Sequence, residues 1–134
     1  MKGLLLLALM ACGGSDSAPD AVPAADAPLA CSLLGSFESG DLGGGRHNVV
    51  EFRTDGFYVR MHYAGGTETG AFSADGQSVT LTDQLGDPAS LTCPNPGAYS
   101  FQFPTGCGKI FFMATTDDCL ARKSVLDKQT LTRI

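Results

Sequence analysis

Tryptophan is missing from this 134-residue chain, histidine occurs twice, and lysine and arginine together number nine against fourteen acidic residues. A net charge of −5 with no basic patch or run argues against a nucleic-acid partner. The longest apolar run, which starts at Leu4 and ends by Cys12, falls far short of the roughly 20 residues a spanning helix needs, which excludes a transmembrane segment of that kind. No C-x-x-C pair occurs, and His47 and His62 lie far from every cysteine in sequence, so a cysteine-based metal site is disfavoured. Gly43-Gly44-Gly45 precedes Arg46-His47 without the G-x-x-x-x-G-K-[ST] order of a phosphate loop and reads as a loop. There is no nucleophile elbow and no H-E-x-x-H. The chain therefore carries no enzyme signal, no catalytic residues and no cofactor motif.

What is present begins at the N-terminus. Met1-Lys2 supplies positive charge, Leu4 to Leu9 is apolar, Ala11 is small, and Cys12 follows it directly. That order is the layout of a secretory signal. Leu9-Met10-Ala11-Cys12 resembles the lipobox of bacterial lipoproteins. The resemblance implies cleavage before Cys12, a signal peptide over 1–11, and lipidation of Cys12. More than one acyl chain makes such anchoring stable, at roughly 0.8 kcal/mol per buried methylene. Gly13, where aspartate favours inner-membrane retention in enterobacterial lipoproteins, leans the expectation toward the outer membrane. The plainer alternative is an ordinary signal with an incidental cysteine. The expected address is the cell envelope, lipid-anchored, with the folded part in the periplasm or at the cell surface.

Residues 13–30, GGSDSAPDAVPAADAPLA, offer almost nothing to bury. Such a composition is expected to be a disordered linker, with an r.m.s. reach of about 25 Å. Residues 31–134 are then one domain of ordinary size. With Cys12 assigned to lipid, four cysteines remain: Cys31, Cys93, Cys107 and Cys119. An even count in an oxidising compartment reads as disulfides. Tyr99–Phe103 and Lys109–Thr115 look like two strands joined at Pro104-Thr105-Gly106. Cys93 and Cys119 stand nearly equally far from that turn, so an antiparallel pair brings them together and leaves Cys31 for Cys107.

The domain alternates like strands. With Asp55-Gly56 as a two-residue turn, Phe52 faces Val59 and Val50 faces Met61 on one side. Glu51 then faces Arg60, and Arg53 faces Tyr58, on the other. Around Asp75-Gly76, Phe72 faces Val79 and Gly70 faces Leu81. Leu33, Gly35 and Phe37 alternate in a first strand, Ile110 to Met113 are apolar on both sides, and a last strand runs from Gln129 to Ile134. Between Asp117 and Leu126 a helical turn is expected, capped by Asp117 or Asp118. About eight short strands in a meander suggest a barrel or a sandwich; the expected fold is all-β, an up-and-down antiparallel barrel, which also removes the exposed edges of an open sheet.

Phe52-x-x-Asp55-Gly56-x-Tyr58 and Gly70-x-Phe72-x-x-Asp75-Gly76-x-x-Val79-x-Leu81-Thr82 resemble the repeating hairpins of bacterial lipocalin-like lipoprotein domains. Gly35-Ser36-Phe37 stands where a Gly-x-Trp is common, and Asp117-Asp118-Cys119-x-x-Arg122 with Leu131-x-Arg133 is similar to the ends of such domains. The resemblance implies a calycin-type barrel, sometimes binding an apolar ligand, with no catalytic residues to carry over. Phe37, Phe52, Phe57, Phe72, Phe101, Phe103 and Phe112 are expected to fill the barrel rather than line a cavity. His62, beside Arg60 and Tyr58, reads as part of a solvated polar face, the alternative being a ligand-contacting cluster. Asp117-Asp118 reads as a helix cap rather than a calcium site.

The expected function is a membrane-anchored envelope lipoprotein that serves as a binding or structural module. One alternative is a carrier of a small apolar ligand. The other is a protein inhibitor, such as one directed at lysozyme, using Ala64-Gly65-Gly66-Thr67-Glu68 as a protruding loop. Its partners would be the membrane, through the lipid, and an apolar ligand or a protein.

Overall fold

The computed structural model describes residues 30–134. The signal peptide, Cys12 and residues 13–29 of the linker lie outside the described residues. Eight antiparallel strands close into a barrel in simple sequence order. They are β1 (Gly35–Glu38), β2 (Val49–Phe52), β3 (Phe57–Met61), β4 (Thr67–Asp75), β5 (Ser78–Asp87), β6 (Gly97–Gln102), β7 (Lys109–Thr116) and β8 (Gln129–Arg133). One short helix, α1 (Leu120–Leu126), sits between β7 and β8. Closure leaves no strand edge unpaired, because β1 bonds to β8 as well as to β2.

The up-and-down path gives the barrel two unlike ends. Tight turns at 53–56, 76–77 and 103–108 gather at one, with Cys31 beside them. Longer connections at 39–48, 62–66, 88–96 and 117–128 gather at the other. Cys31 pairs with Cys107 at the turn end, and Cys93 with Cys119 at the loop end. This is the pairing that the spacing about Pro104–Gly106 predicts.

Two hairpin registers differ from the expected ones, with unequal consequences. In β2–β3, Arg53 N–H donates to Phe57 O at 2.9 Å and Gly56 N–H donates back to Arg53 O at 3.2 Å. The loop therefore has three residues, and Gly56 takes φ +82°, a left-handed conformation that glycine adopts without strain. Phe52 consequently pairs with Tyr58 and Val50 with Arg60. A one-residue slip exchanges faces. Tyr58 and Arg60 point inward, fully buried, while Met61 is exposed outside. The expected Glu51–Arg60 pair is absent, and Glu51 instead meets Arg53 on the surface at 3.1 Å. In β4–β5, Phe72 pairs with Leu81 and Ala74 with Val79 across a turn at 76–77. That slip is by two residues, so every side chain keeps its expected face.

Aromatic side chains fill the turn-end half of the barrel. Phe37, Phe52, Phe112, Ile110 and Leu131 are buried in one cluster, with Phe72 and Phe103 packed against it. Phe52 meets Phe72 edge-on at 5.1 Å between centroids, a geometry worth about 1 kcal/mol beyond the area buried. Phe57 is the exception to the expected filling: it lies outside, 42% exposed, because the three-residue loop turns it outward. Arg133 closes this end, its guanidinium 4.5 Å from the Phe37 ring centroid and donating to Leu34 O at 2.8 Å and Cys107 O at 3.1 Å.

At the loop end α1 acts as the cover. Arg122, Val125 and Leu126, spaced as one face of a helix, are its buried residues. Its N-cap is Cys119, with no side-chain capping bond. Asp117 does not cap the helix; its Oδ1 accepts from Cys119 N at 2.9 Å and both its oxygens bind Arg122. Asp118 instead accepts from the Asn95 amide at 2.9 Å on the surface.

Candidate functional site

The inward-facing rows of β3 and β4 change character along the barrel. Phe72 and Tyr58 belong to the aromatic half, and one step further toward the loop end Arg60 stands opposite Glu68. β5 continues the ring with Asp83, which pairs with Gly70 next to a bulge between Thr69 and Gly70. From outside the strands, α1 inserts Arg122, and the segment leading into it supplies Asp117. The five ionisable side chains are each at most 1% exposed.

Their contacts form one network. The Arg60 guanidinium touches the Glu68 carboxylate. Its Nη2 also donates to Leu91 O at 3.2 Å and lies 3.7 Å from Asp83 Oδ2. Arg122 forks onto Asp117, with Nε and Nη2 each at 2.8 Å. Nη2 further reaches Asn95 O at 2.9 Å, and Nη1 lies 3.0 Å from Asp83 Oδ1. Tyr99 OH donates to Asp117, and Cys93 N–H donates to Asp83 Oδ2 at 3.2 Å. Bidentate, charge-assisted bonds of this type are the strong ones. Gly97 makes the approach possible: a Cβ there would lie 2.6 Å from Arg122 Nε, Arg122 Nη2 and Asp117 Oδ2.

Burial sets the titration of these groups. It pushes the Glu68 carboxyl up to about 7, with attraction to Arg122 opposing and repulsion from Asp117 adding. Asp83 is raised for the same first reason, against the pull of Arg122. Burial and the nearby Arg122 charge bring Arg60 down to about 10. Burial works against charge at Asp117 and Arg122 too, but their mutual hydrogen bonds prevail, lowering Asp117 and raising Arg122. Tyr99 is raised by burial and by its bond to Asp117. Groups so perturbed mark either a functional site or a structural ion cluster. Here solvent does not reach them, and the arrangement clamps α1 onto the barrel.

The other sequence candidates are dispersed. His62 is not on a polar face with Arg60 and Tyr58, which point inward. It rests against α1, with Nε2 at 3.4 Å from Ala121 O and Ser124 Oγ. His47 is held by Ser39 O at 2.8 Å from Nδ1, a bond that raises its pKa. Glu68 does not belong to a protruding loop; it is an interior residue of β4. Asp83, Cys93 and Cys119 bring potential ligand atoms within 4.8 Å of one another, but both sulfurs are committed to their disulfide. A shallow outer depression of about 290 Å³ on β6 and β7 is lined by Gln77, Ser100, Phe101, Gln102, Phe111 and Met113, with no ionisable group among them.

The ion network is not legible in the sequence, although one signal points to part of it. Arg122, Val125 and Leu126 share the i, i+3, i+4 spacing that places an arginine on the buried side of α1. The inward turn of Arg60 depended on the loop length at Gly56, and the approach of Glu68, Asp83 and Asp117 on the β4–β5 bulge and the docking of α1. No family model matches this chain, and no curated protein or solved structure matches it either.

Proposed function

We propose that this protein is a lipid-anchored envelope lipoprotein whose disulfide-stapled barrel acts as a binding or structural module. In this reading the chain is cut before Cys12, Cys12 carries the acyl chains, and residues 13–30 hold the barrel clear of the lipid. The carrying observation is the division of the cysteines. Cys31, Cys93, Cys107 and Cys119 are spent in two bridges. That leaves Cys12 as the odd one, directly after a small residue at the end of an apolar run. Structural disulfides also fit an exported rather than a cytosolic protein.

The packed interior favours recognition through the outer surface and the loops over carriage of an apolar ligand. Phe37, Phe52 and Phe112 occupy the space a carrier would leave open. The inhibitor alternative loses the residue it relied on, because Glu68 is buried. Catalysis is not proposed.

Expression of the full chain in a diderm bacterium with labelled palmitate tests the reading. The mature product is expected to begin at Cys12, to carry label, to fractionate with the outer membrane and to show no free thiol. Cys12→Ser should abolish labelling and release the barrel into the soluble fraction. An unacylated wild-type product, or one retaining Met1, refutes the anchor.

A further inference from the structure

The buried network has an odd charge count. Two guanidinium groups, Arg60 and Arg122, face three carboxyl groups, Glu68, Asp83 and Asp117. Fully ionised, the cluster would hold one uncompensated negative charge in the barrel interior, where an unpaired charge is strongly disfavoured and neutralises by taking up a proton. Asp117 is the poorest place for that proton, since both its oxygens already accept bonds from Arg122 and Tyr99. Asp83 is bracketed by both arginines and accepts from Cys93 N. Glu68 Oε1 and Asp83 Oδ1 both lack a hydrogen-bond partner, but Glu68 meets only one guanidinium where Asp83 meets two.

We propose that this cluster binds one exchangeable proton, held on Glu68, and that losing the proton loosens α1 over the loop end of the barrel. The link to α1 is direct. Arg122 projects from α1 into the same network and α1 covers that end of the barrel, so a closed helix keeps water from Glu68; the cost of burying the ionised carboxylate outweighs its attraction to Arg122. Opening the cover lets water reach Glu68 and solvate its carboxylate.

The groups facing Glu68 are Arg60 and Tyr58 from β3, Asp83 from β5, Tyr99 from β6, Asp117 after β7, and Arg122 from α1. The connection at 88–96 brings no ionisable group, only the Leu91 carbonyl to Arg60, the Asn95 carbonyl to Arg122 and the Cys93 N–H to Asp83. His62 lies outside the cluster but rests against α1, so it serves as the control, while Asp83, also raised by burial, is the competing carboxyl within the cluster. The sign follows from the upward shift. Closure is most favourable while Glu68 is protonated in both states, and it weakens as pH rises from 4.5 toward about 7, where the closed form also ionises.

Hydrogen exchange of the α1 amides, expressed as protection relative to intrinsic rates, tests this on the intact disulfide-bonded barrel. Between about pH 5 and about pH 8 the wild type should lose protection by about 70-fold, the ratio allowed if opening returns Glu68 to its ordinary pKa. Glu68→Gln, a neutral mimic of the protonated side chain, should remove most of that dependence, and His62→Gln should keep it. Carboxyl-carbon NMR of wild-type Glu68 gives a second readout that needs no variant, with an expected midpoint near neutrality. A Glu68 midpoint below about 5, protection that does not change with pH, or a dependence abolished by His62→Gln would each overturn the proposal.

Discussion

Replacing Arg122 by methionine asks what the ion network contributes to the fold. The substitution keeps a long apolar stem but deletes the guanidinium that binds Asp117 twice, Asp83 once and Asn95 O once. Two carboxylates are then left with no exposed surface, and Asp117 keeps only Tyr99 OH and Cys119 N–H as donors. Removing one partner of a buried ion set costs about 3–5 kcal/mol, because the remaining charge has neither water nor a counter-ion. With a urea slope of about 1.5 kcal/mol per molar for a domain of this size, the unfolding midpoint should fall by about 2–3 M. The assay is urea unfolding of the disulfide-intact barrel near neutral pH. Adding Asp83→Asn and Asp117→Asn to the methionine variant should restore much of the loss, since the abandoned charges disappear with the cation. A loss below about 1 kcal/mol for Arg122→Met alone would refute the reasoning and place these groups with ordinary solvated pairs.

Gly97→Ala should cost about 1–3 kcal/mol in the same assay, because its Cβ would fall 2.6 Å from Arg122 and Asp117; a neutral outcome would show that Arg122 can move aside. Opening the bridge that spans 26 residues, Cys93–Cys119, should cost about 3.5 kcal/mol, and opening the one that spans 76, Cys31–Cys107, about 4.5 kcal/mol, by loop-closure entropy; thermal melts of the paired serine variants check that order. On the acid side, Asp117 sits below its unfolded value of 3.8, so it adds stability above that pH and loses it as pH falls through its lower folded value. Urea midpoints below about pH 4 should therefore decline, and Asp117→Asn should flatten that decline.

Much of the architecture was legible because it rests on local pattern. Period-2 alternation placed the strands, turn residues placed the hairpins, and nearly equal distances from Pro104–Gly106 placed Cys93 beside Cys119. The β4–β5 hairpin tolerated a misjudged turn, since a shift of two residues leaves Phe72, Val79 and Leu81 on the side facing the core. The β2–β3 hairpin did not. One extra loop residue at Gly56 carried Tyr58 and Arg60 from the supposed solvent face into the barrel.

The amino-acid order alone decided that this is a short-stranded barrel closed by two bridges, because pleat, turn chemistry and cysteine number act over a few neighbours. Only the tertiary structure decided where the charges went. Arg60, Glu68, Asp83, Asp117 and Arg122 are up to 62 positions apart in the chain. Their meeting required a loop length, a bulge, a glycine and a helix docked over one end. The bulge and the docked helix are set by packing between distant segments, which periodicity does not encode, and one extra loop residue at Gly56 sufficed to reverse a face.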